Sequence, residues 1–269
     1  MILRILVLLT LVVLAPLAQA ADRFIVVQST TSTENSGLYA YLLPLFTAAS
    51  GIEVRVVAVG TGQALRNARN GDGDVLIVHA RAAEEAFVAA GHGVTRHDLM
   101  VNDFVMVGPD TDLAGLKQAD SLTGALQRIA AAGTVFVSRG DDSGTHKKEL
   151  SLWRAAGLDP AGSGSAWYRE SGSGMGATLN IAIGMNALTL TDRATWVSFG
   201  NKRDHAILME GDPALQNPYG VILVNPATHP GVRAQDGQIF IDWLLSPAGQ
   251  TAIAAFRVHG QQLFFPNAK

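Results

Sequence analysis

The sequence predicts an α/β protein, and three observations carry that prediction. Short apolar runs rich in β-branched residues recur along the chain. Each ends in a Gly/Ser/Thr loop, and each loop opens a segment with helical apolar spacing. Three such strand–loop–helix units in succession imply a parallel sheet with right-handed crossovers. With 269 residues, 48% apolar and 16% charged, the chain can bury a large core, which excludes intrinsic disorder and coiled coil.

Arg23–Gln28 is the first expected strand and runs into Ser29-Thr30-Thr31-Ser32-Thr33. A helical pattern opens near Ser36, with Leu38, Tyr41, Leu42, Leu45 and Phe46 expected on one face and Gly51 as its stop. Glu53–Val59 is a second strand, followed by Gly60-Thr61-Gly62 and a helix carrying Ala64, Leu65 and Ala68. Asp74–Val78 is a third, with Ala83–Ala90 helical after it. Phe104–Gly108 is another strand, closed by Pro109, and the polar stretch Asp110–Asp120 leads into a second lobe. Thr134–Ser138 is a strand that enters Arg139-Gly140-Asp141-Asp142-Ser143-Gly144-Thr145, and the next helix carries Leu150, Trp153 and Ala156 before Gly157. Ser171–Gly176 is a glycine-rich loop, Ala177–Met185 a helix and Ala187–Thr191 a short strand. Tyr219–Val224 is a returning strand, and Ile239–Leu245 and Thr251–Phe256 are closing helices. Trp153, Trp167 and Tyr168 are expected in the core or between lobes.

Several function classes fall away. Twenty Lys and Arg against 23 Asp and Glu give a charge of −3 and no basic face, so no nucleic-acid partner is expected. The absence of cysteine removes disulfides, thiolate metal sites and Cys nucleophiles. The seven histidines show no metal-ligand spacing with carboxylates, so no metal site and no cofactor are expected. Met1–Ala20 has one charged residue, Arg4, then an apolar run from Ile5 to Leu14, Pro16 and a small-residue Ala18-Gln19-Ala20 end. This is the pattern of a signal peptide cleaved near Ala20-Ala21, with an uncleaved anchor as the other reading. Removal takes one positive charge and no acid, and the mature chain is expected in a bacterial periplasm.

Function is expected in the loops that follow the strands, because ligands of open parallel sheets bind beyond their carboxyl ends. Thr30 and Thr31, then Thr61 between two glycines, then Ser143, Gly144 and Thr145 all stand just before or at a helix start. Hydroxyls, bare N–H groups and helix N-termini are anion donors, and Arg139 adds a full charge and a fork of N–H groups. Arg193, in Thr191-Asp192-Arg193, is a second candidate, or a structural partner of Asp192 or another acid. Read alone, each loop is also an ordinary helix cap. No P-loop pattern is present, and the Gly-x-Ser-x-Gly elbow of hydrolases is absent around Ser143, although His146 and Asp142 stand nearby.

At these loops the chain resembles the periplasmic solute-binding proteins of tungstate ABC importers. The matching stretches are Thr30–Thr33 with Ser36-Gly37-Leu38, Val59–Ala64, Asp74–Ala80, Asn102–Val105 and Ser138–Glu149, then Gly174-Met175-Gly176, Thr191-Asp192-Arg193 and Asn217–Val221. The family commonly has three consecutive threonines where this chain has Ser29-Thr30-Thr31. The resemblance implies a two-lobed type II periplasmic-binding-protein fold, each lobe a mainly parallel sheet flanked by helices, with the ligand in the interlobe cleft. Residues 21–104 with 222–269 would form lobe I, and 105–221 lobe II.

The resemblance further implies a non-enzymatic, monomeric substrate-binding subunit that captures tungstate and passes it to an ABC permease. The ligand set it implies is Thr30, Thr31, Thr61, Arg139, Ser143, Gly144, Thr145 and Arg193. Phosphate-binding proteins place a carboxylate in the first lobe to accept the proton of their ligand. Here the nearest counterpart is His79-Ala80, without a carboxylate, which suits a fully deprotonated anion. Molybdate, phosphate or sulfate in the same role remain alternatives, as does a periplasmic serine hydrolase using Ser143.

Overall fold

The computed structural model describes residues 23–268. The expected signal peptide and its Ala20-Ala21 junction lie outside the described residues. Strand β1 (Phe24–Thr30) leads into a short helix α1 (Thr31–Asn35), capped by Thr30, and then α2 (Leu38–Ser50). β2 (Glu53–Val59) and α3 (Thr61–Asn70) follow, then β3 (Val75–Val78) and α4 (Arg81–Ala89). β4 (Gly93–Pro109) is a single strand of 17 residues.

The middle of the chain contributes α5 (Leu122–Ala132), β5 (Phe136–Ser138), α6 (Gly144–Ala155), β6 (Tyr168–Glu170), α7 (Met175–Gly184), β7 (Thr189–Asp192), α8 (Arg193–Ser198) and β8 (His205–Met209). The chain closes with β9 (Gln216–Val224), α9 (Ala234–Leu245), α10 (Pro247–Ala255), a small β10 (Arg257–Val258) and β11 (Gln261–Gln262) hairpin, and β12 (Phe265–Pro266).

The main sheet runs in the order β12-β4-β9-β3-β1-β2, with β7 and β8 also on β4. β1 pairs parallel with β2 and β3, and β5 pairs parallel with β6. The expectation of mainly parallel sheets needs correction at β4 and β9. β9 is antiparallel to β3 and β4, and β7 and β8 are antiparallel to β4. β4 and β9 are not joined to their neighbours by strand–helix–strand crossovers, so nothing forces them parallel.

These two strands organise the molecule. β4 pairs with β9 from Gly93 to Asp103 and changes partners at Phe104, where β7 takes over. One core lies against β1, β3 and β9, with Ile25, Val27, Phe46, Ile77, Tyr219 and Phe240 buried. A second gathers Phe104, Leu126, Ile129, Phe136, Trp153, Tyr168 and Leu190. Tyr219, Gly220 and Val221 are paired within the sheet of β1–β3.

One further expectation is corrected. α2 buries Leu38, Tyr39, Leu42 and Phe46, whereas Tyr41 and Leu45 are exposed, because the helix turns Tyr39 inward to hydrogen-bond Ser29. The stretch after Asp110 contains α5, capped by Ser121 and stopped by Gly133 at a φ of 62°, with Leu122, Ala125, Leu126 and Ile129 buried. Among the described residues no helix is long and apolar enough to cross a membrane.

Candidate anion-binding site

Loops from both sides of β4 and β9 meet around a narrow, closed-down cavity. Thr30, Thr31 and Ser32 reach it from the end of β1 and the start of α1. Val59, Gly60 and Thr61 reach it from the end of β2 and the start of α3, and His79 from the end of β3. The other wall is Arg139, Ser143 and Gly144, from the loop between β5 and α6.

The local sequence dictates this convergence. A helix leaves its first amide groups without intrahelical acceptors. Three helices, α1, α3 and α6, begin at the cavity with their positive ends toward it. Thr30 caps α1, its hydroxyl accepting from Thr33 N–H, and Ser143 caps α6, accepting from His146 N–H at 3.2 Å. Gly60 holds the entry to α3 without a side-chain cap. Gly144 N–H donates to Thr61 Oγ1 at 3.0 Å, so the α3 and α6 ends touch.

Arg139 is 3% exposed. Its Nη2 donates to Asp141 Oδ2 at 2.5 Å, and Asp141 Oδ1 accepts from Ser143 N–H at 3.2 Å. The carboxylate therefore fixes the guanidinium and the loop together. Arg139 Nε is buried and bonds no acceptor, which leaves charge-assisted donor capacity at the cavity wall. Behind the loop, buried Glu149 accepts from Ser138 Oγ, Trp153 Nε1 and Tyr168 OH, and Ser138 Oγ accepts from Gly140 N–H. Burial pushes the Glu149 carboxyl up to about 7.

The cavity thus brings together Thr30, Thr31, Thr61, Arg139, Ser143 and Gly144. Thr145 follows on α6, wholly buried, with Oγ1 lacking a partner. Arg193 is elsewhere: its Nε and Nη2 hold Asp103 at 2.7 and 2.6 Å, and Nη1 meets Glu210 at 2.7 Å. Its partners are not Asp192, which caps α8 through Thr195. Ser32, Val59, Gly60 and His79 also line the cavity. Their loops had been read from the sequence, but a single histidine after a strand carries no signal of which way its ring points.

Ser143 has no base. Its Oγ accepts the α6 cap bond, and His146 Nδ1 accepts from Asp142 N–H at 3.1 Å rather than from the Ser143 hydroxyl. Among the described residues no three His, Cys, Asp or Glu side chains are placed to hold a metal ion. What the arrangement offers is a pocket lined by hydroxyls, helix amides and one buried guanidinium.

Comparison with known proteins agrees with that chemistry. The PBP (periplasmic-binding-protein) superfamily domain matches residues 15–248. The tungstate-binding protein TupA of Peptoclostridium acidaminophilum is 48% identical over 91% of this chain and 86% of its own length. A putative ABC transporter anion-binding protein of Haloferax volcanii is 47% identical over 89% of this chain and 71% of its own. The solved structure of TupA from Desulfovibrio alaskensis G20 superposes with a TM-score of 0.80 at 46% identity, covering 92% of this chain and all of that one. The chain therefore belongs to the periplasmic-binding-protein superfamily and, within it, to the TupA family.

Proposed function

We propose that this protein is the substrate-binding subunit of a tungstate ABC importer. In this reading it is a monomeric, non-enzymatic periplasmic protein, exported by a cleavable signal peptide and needing no cofactor. The observation that carries it is the convergence of three helix N-termini and buried Arg139 on one small cavity. A dianion can leave water only if its oxygens find donors, and this wall supplies them. The proposed ligand set is Thr30, Thr31, Thr61, Arg139, Ser143, Gly144 and Thr145, with Ser32 and His79 added. Arg193 acts as a structural partner of Asp103 and Glu210.

Capture proceeds by closure of the two lobes about β4 and β9, and the closed surface is then read by the membrane permease. Lobe I is taken as residues 21–104 plus the returning chain, and lobe II as the segment between. Tungstate and molybdate share shape and charge, and the family relationship is what ranks tungstate first. Isothermal titration calorimetry with tungstate, molybdate, sulfate and phosphate tests the reading. Sub-micromolar tungstate binding is expected, and binding of phosphate or sulfate in preference to tungstate would overturn it.

A further inference from the structure

His79 lies at the cavity wall in a neutral ring whose proton position decides whether it attracts or repels an anion. It is 6% exposed. The Tyr219 ring packs on it with centroids 4.8 Å apart and planes at 30°. On another side a Cβ at Gly144 would stand 2.7 Å from Cε1 and 2.9 Å from Nδ1. The imidazole is therefore wedged in one orientation, and its Nδ1 is 2.9 Å from the Asn217 carboxamide.

A neutral imidazole has one N–H and one lone pair. If Asn217 Oδ1 faces Nδ1, the proton sits on Nδ1, the lone pair is on Nε2, the ring nitrogen that Asn217 does not hold, and Asn217 Nδ2 is a buried donor without an acceptor. Turning the carboxamide by 180° leaves every heavy-atom position occupied. Nδ2 then donates to Nδ1, and a carbonyl oxygen replaces the orphaned N–H, the less costly of the two vacancies in hydrogen bonding. That oxygen lies on the face of the β4–β9 ladder shared with Asn102, directly opposite, whose own Nδ2 is also orphaned.

We infer that Asn217 holds His79 in the tautomer whose Nε2 carries the proton, so that the ring serves the anion as a neutral donor and helps to exclude oxyanions that bear a proton. The inference rests on the anion-binding reading above. It turns the free ring nitrogen of His79 from an acceptor into a donor, so a ligand O–H finds no imidazole lone pair to receive it.

The surroundings keep the ring uncharged. Burial and the Arg139 charge push its pKa down to about 4. Tyr219 faces it from β9. Arg81 at α4, and Asp142, His146, Lys147 and Lys148 at the start of α6, share the adjoining groove with it. The His146 pKa is itself lowered by burial.

Nitrogen-15 NMR of the histidine-labelled free protein reads the tautomer directly and needs no bound anion, with His79 assigned by the signal lost in His79→Gln. The expected result is an Nε2–H ring that does not titrate from pH 6 to 9. Calorimetry with sodium tungstate at pH 6, 7.5 and 9 should give affinities within about threefold. Asn217→Asp can only accept at Nδ1, so it should bind at least tenfold more weakly at pH 9 and recover toward pH 6 as the ring charges. His79→Gln, which still offers an N–H, should outbind His79→Leu. An Nδ1–H ring, a tenfold gain at pH 6 in the wild type, or a pH-independent Asn217→Asp each overturns the inference. If the wild type bound no tungstate, the functional reading would fall, and NMR alone would decide the tautomer.

Discussion

Thr61 Oγ1 accepts a hydrogen bond from Gly144 N–H across 83 positions of the chain. The bond joins the first turn of α3 to the first turn of α6 and draws the two walls of the cavity to contact distance. Gly144 has no room to spare, since an added Cβ would lie 2.9 Å from Thr61 Oγ1 and 2.7 Å from His79 Cε1. Gly144→Ala should therefore hold the walls apart. Tungstate affinity is expected to fall at least tenfold while the melting temperature of the free protein stays within about 3 °C. Wild-type affinity in this variant would show that the closed contact is not required.

Arg139 carries the buried positive charge of the site, with Asp141 holding it in place. Arg139→Ala leaves only neutral donors for the anion and removes the partner of the Asp141 carboxylate. Calorimetry should show a loss of at least ~2 kcal/mol, which is more than tenfold. Arg139→Lys should recover part of this, because one ammonium cannot hold Asp141 and still present a planar fork. A threefold or smaller change in Arg139→Ala would remove the residue from the ligand set.

Much of this site was readable in the sequence, and the reason is chemical. Hydroxyl and glycine loops before helices can be recognised because capping and anion binding use the same residue types, so Thr30, Thr61 and Ser143 stood out. The β2 boundaries, Glu53–Val59, followed from its run of β-branched residues. α5 was also there to be read, in the i, i+3, i+4, i+7 spacing of Leu122, Ala125, Leu126 and Ile129 between Ser121 and Gly133. The first part of β4 was not, because His97, Asp98, Asn102 and Asp103 break any apolar alternation where the strand passes between the two cores. The roles of Arg193 and His79 depend on partners 90 and 138 positions away, and no local pattern records such distances.

Phosphate and arsenate carry a proton near neutrality. Where the wall presents donors to it, that O–H is left unpaired, at about 1–3 kcal/mol, although the hydrogen dianion carries the same charge as tungstate. Competition calorimetry at pH 7.5 should place both at least a hundredfold weaker than tungstate. Phosphate within tenfold of tungstate would mean that a proton acceptor lies at the site.

Small-angle scattering tests the pivot. β4 and β9 are the paired strands that run between the two cores, and in the proposed closure small backbone rotations there would open or shut the cleft. The radius of gyration should shrink when tungstate is added to saturation. An unchanged radius with calorimetrically confirmed binding would show that the free protein is already closed.

Glu149 gives a stability signature. Its pKa rises from an ordinary 4.5 to about 7 in the folded protein because burial disfavours the charge. The folded state therefore holds the proton more tightly than the unfolded state. Stability from this group is fully present below about pH 4.5 and is lost as pH rises toward 7, by an amount on the order of 2–3 kcal/mol. Glu149→Gln keeps an acceptor for Trp153 and Tyr168 and supplies a donor to Ser138. The melting temperature of the variant relative to wild type should rise between pH 5 and pH 8. A constant difference would show that the carboxyl does not titrate on folding.

The central position of β9 constrains the order in which the chain can fold. β3 is paired on one side with β1, but its other edge waits for Gly220–Leu223, which are made about 145 residues later. The N-terminal half of β4 waits for the same strand. A chain leaving the ribosome therefore cannot pair β3 and β4 through β9 until nearly five-sixths of it has been synthesised. Loop closure over so long a separation is slow. A nascent chain that stays open for that time is one that can still be threaded through a membrane channel.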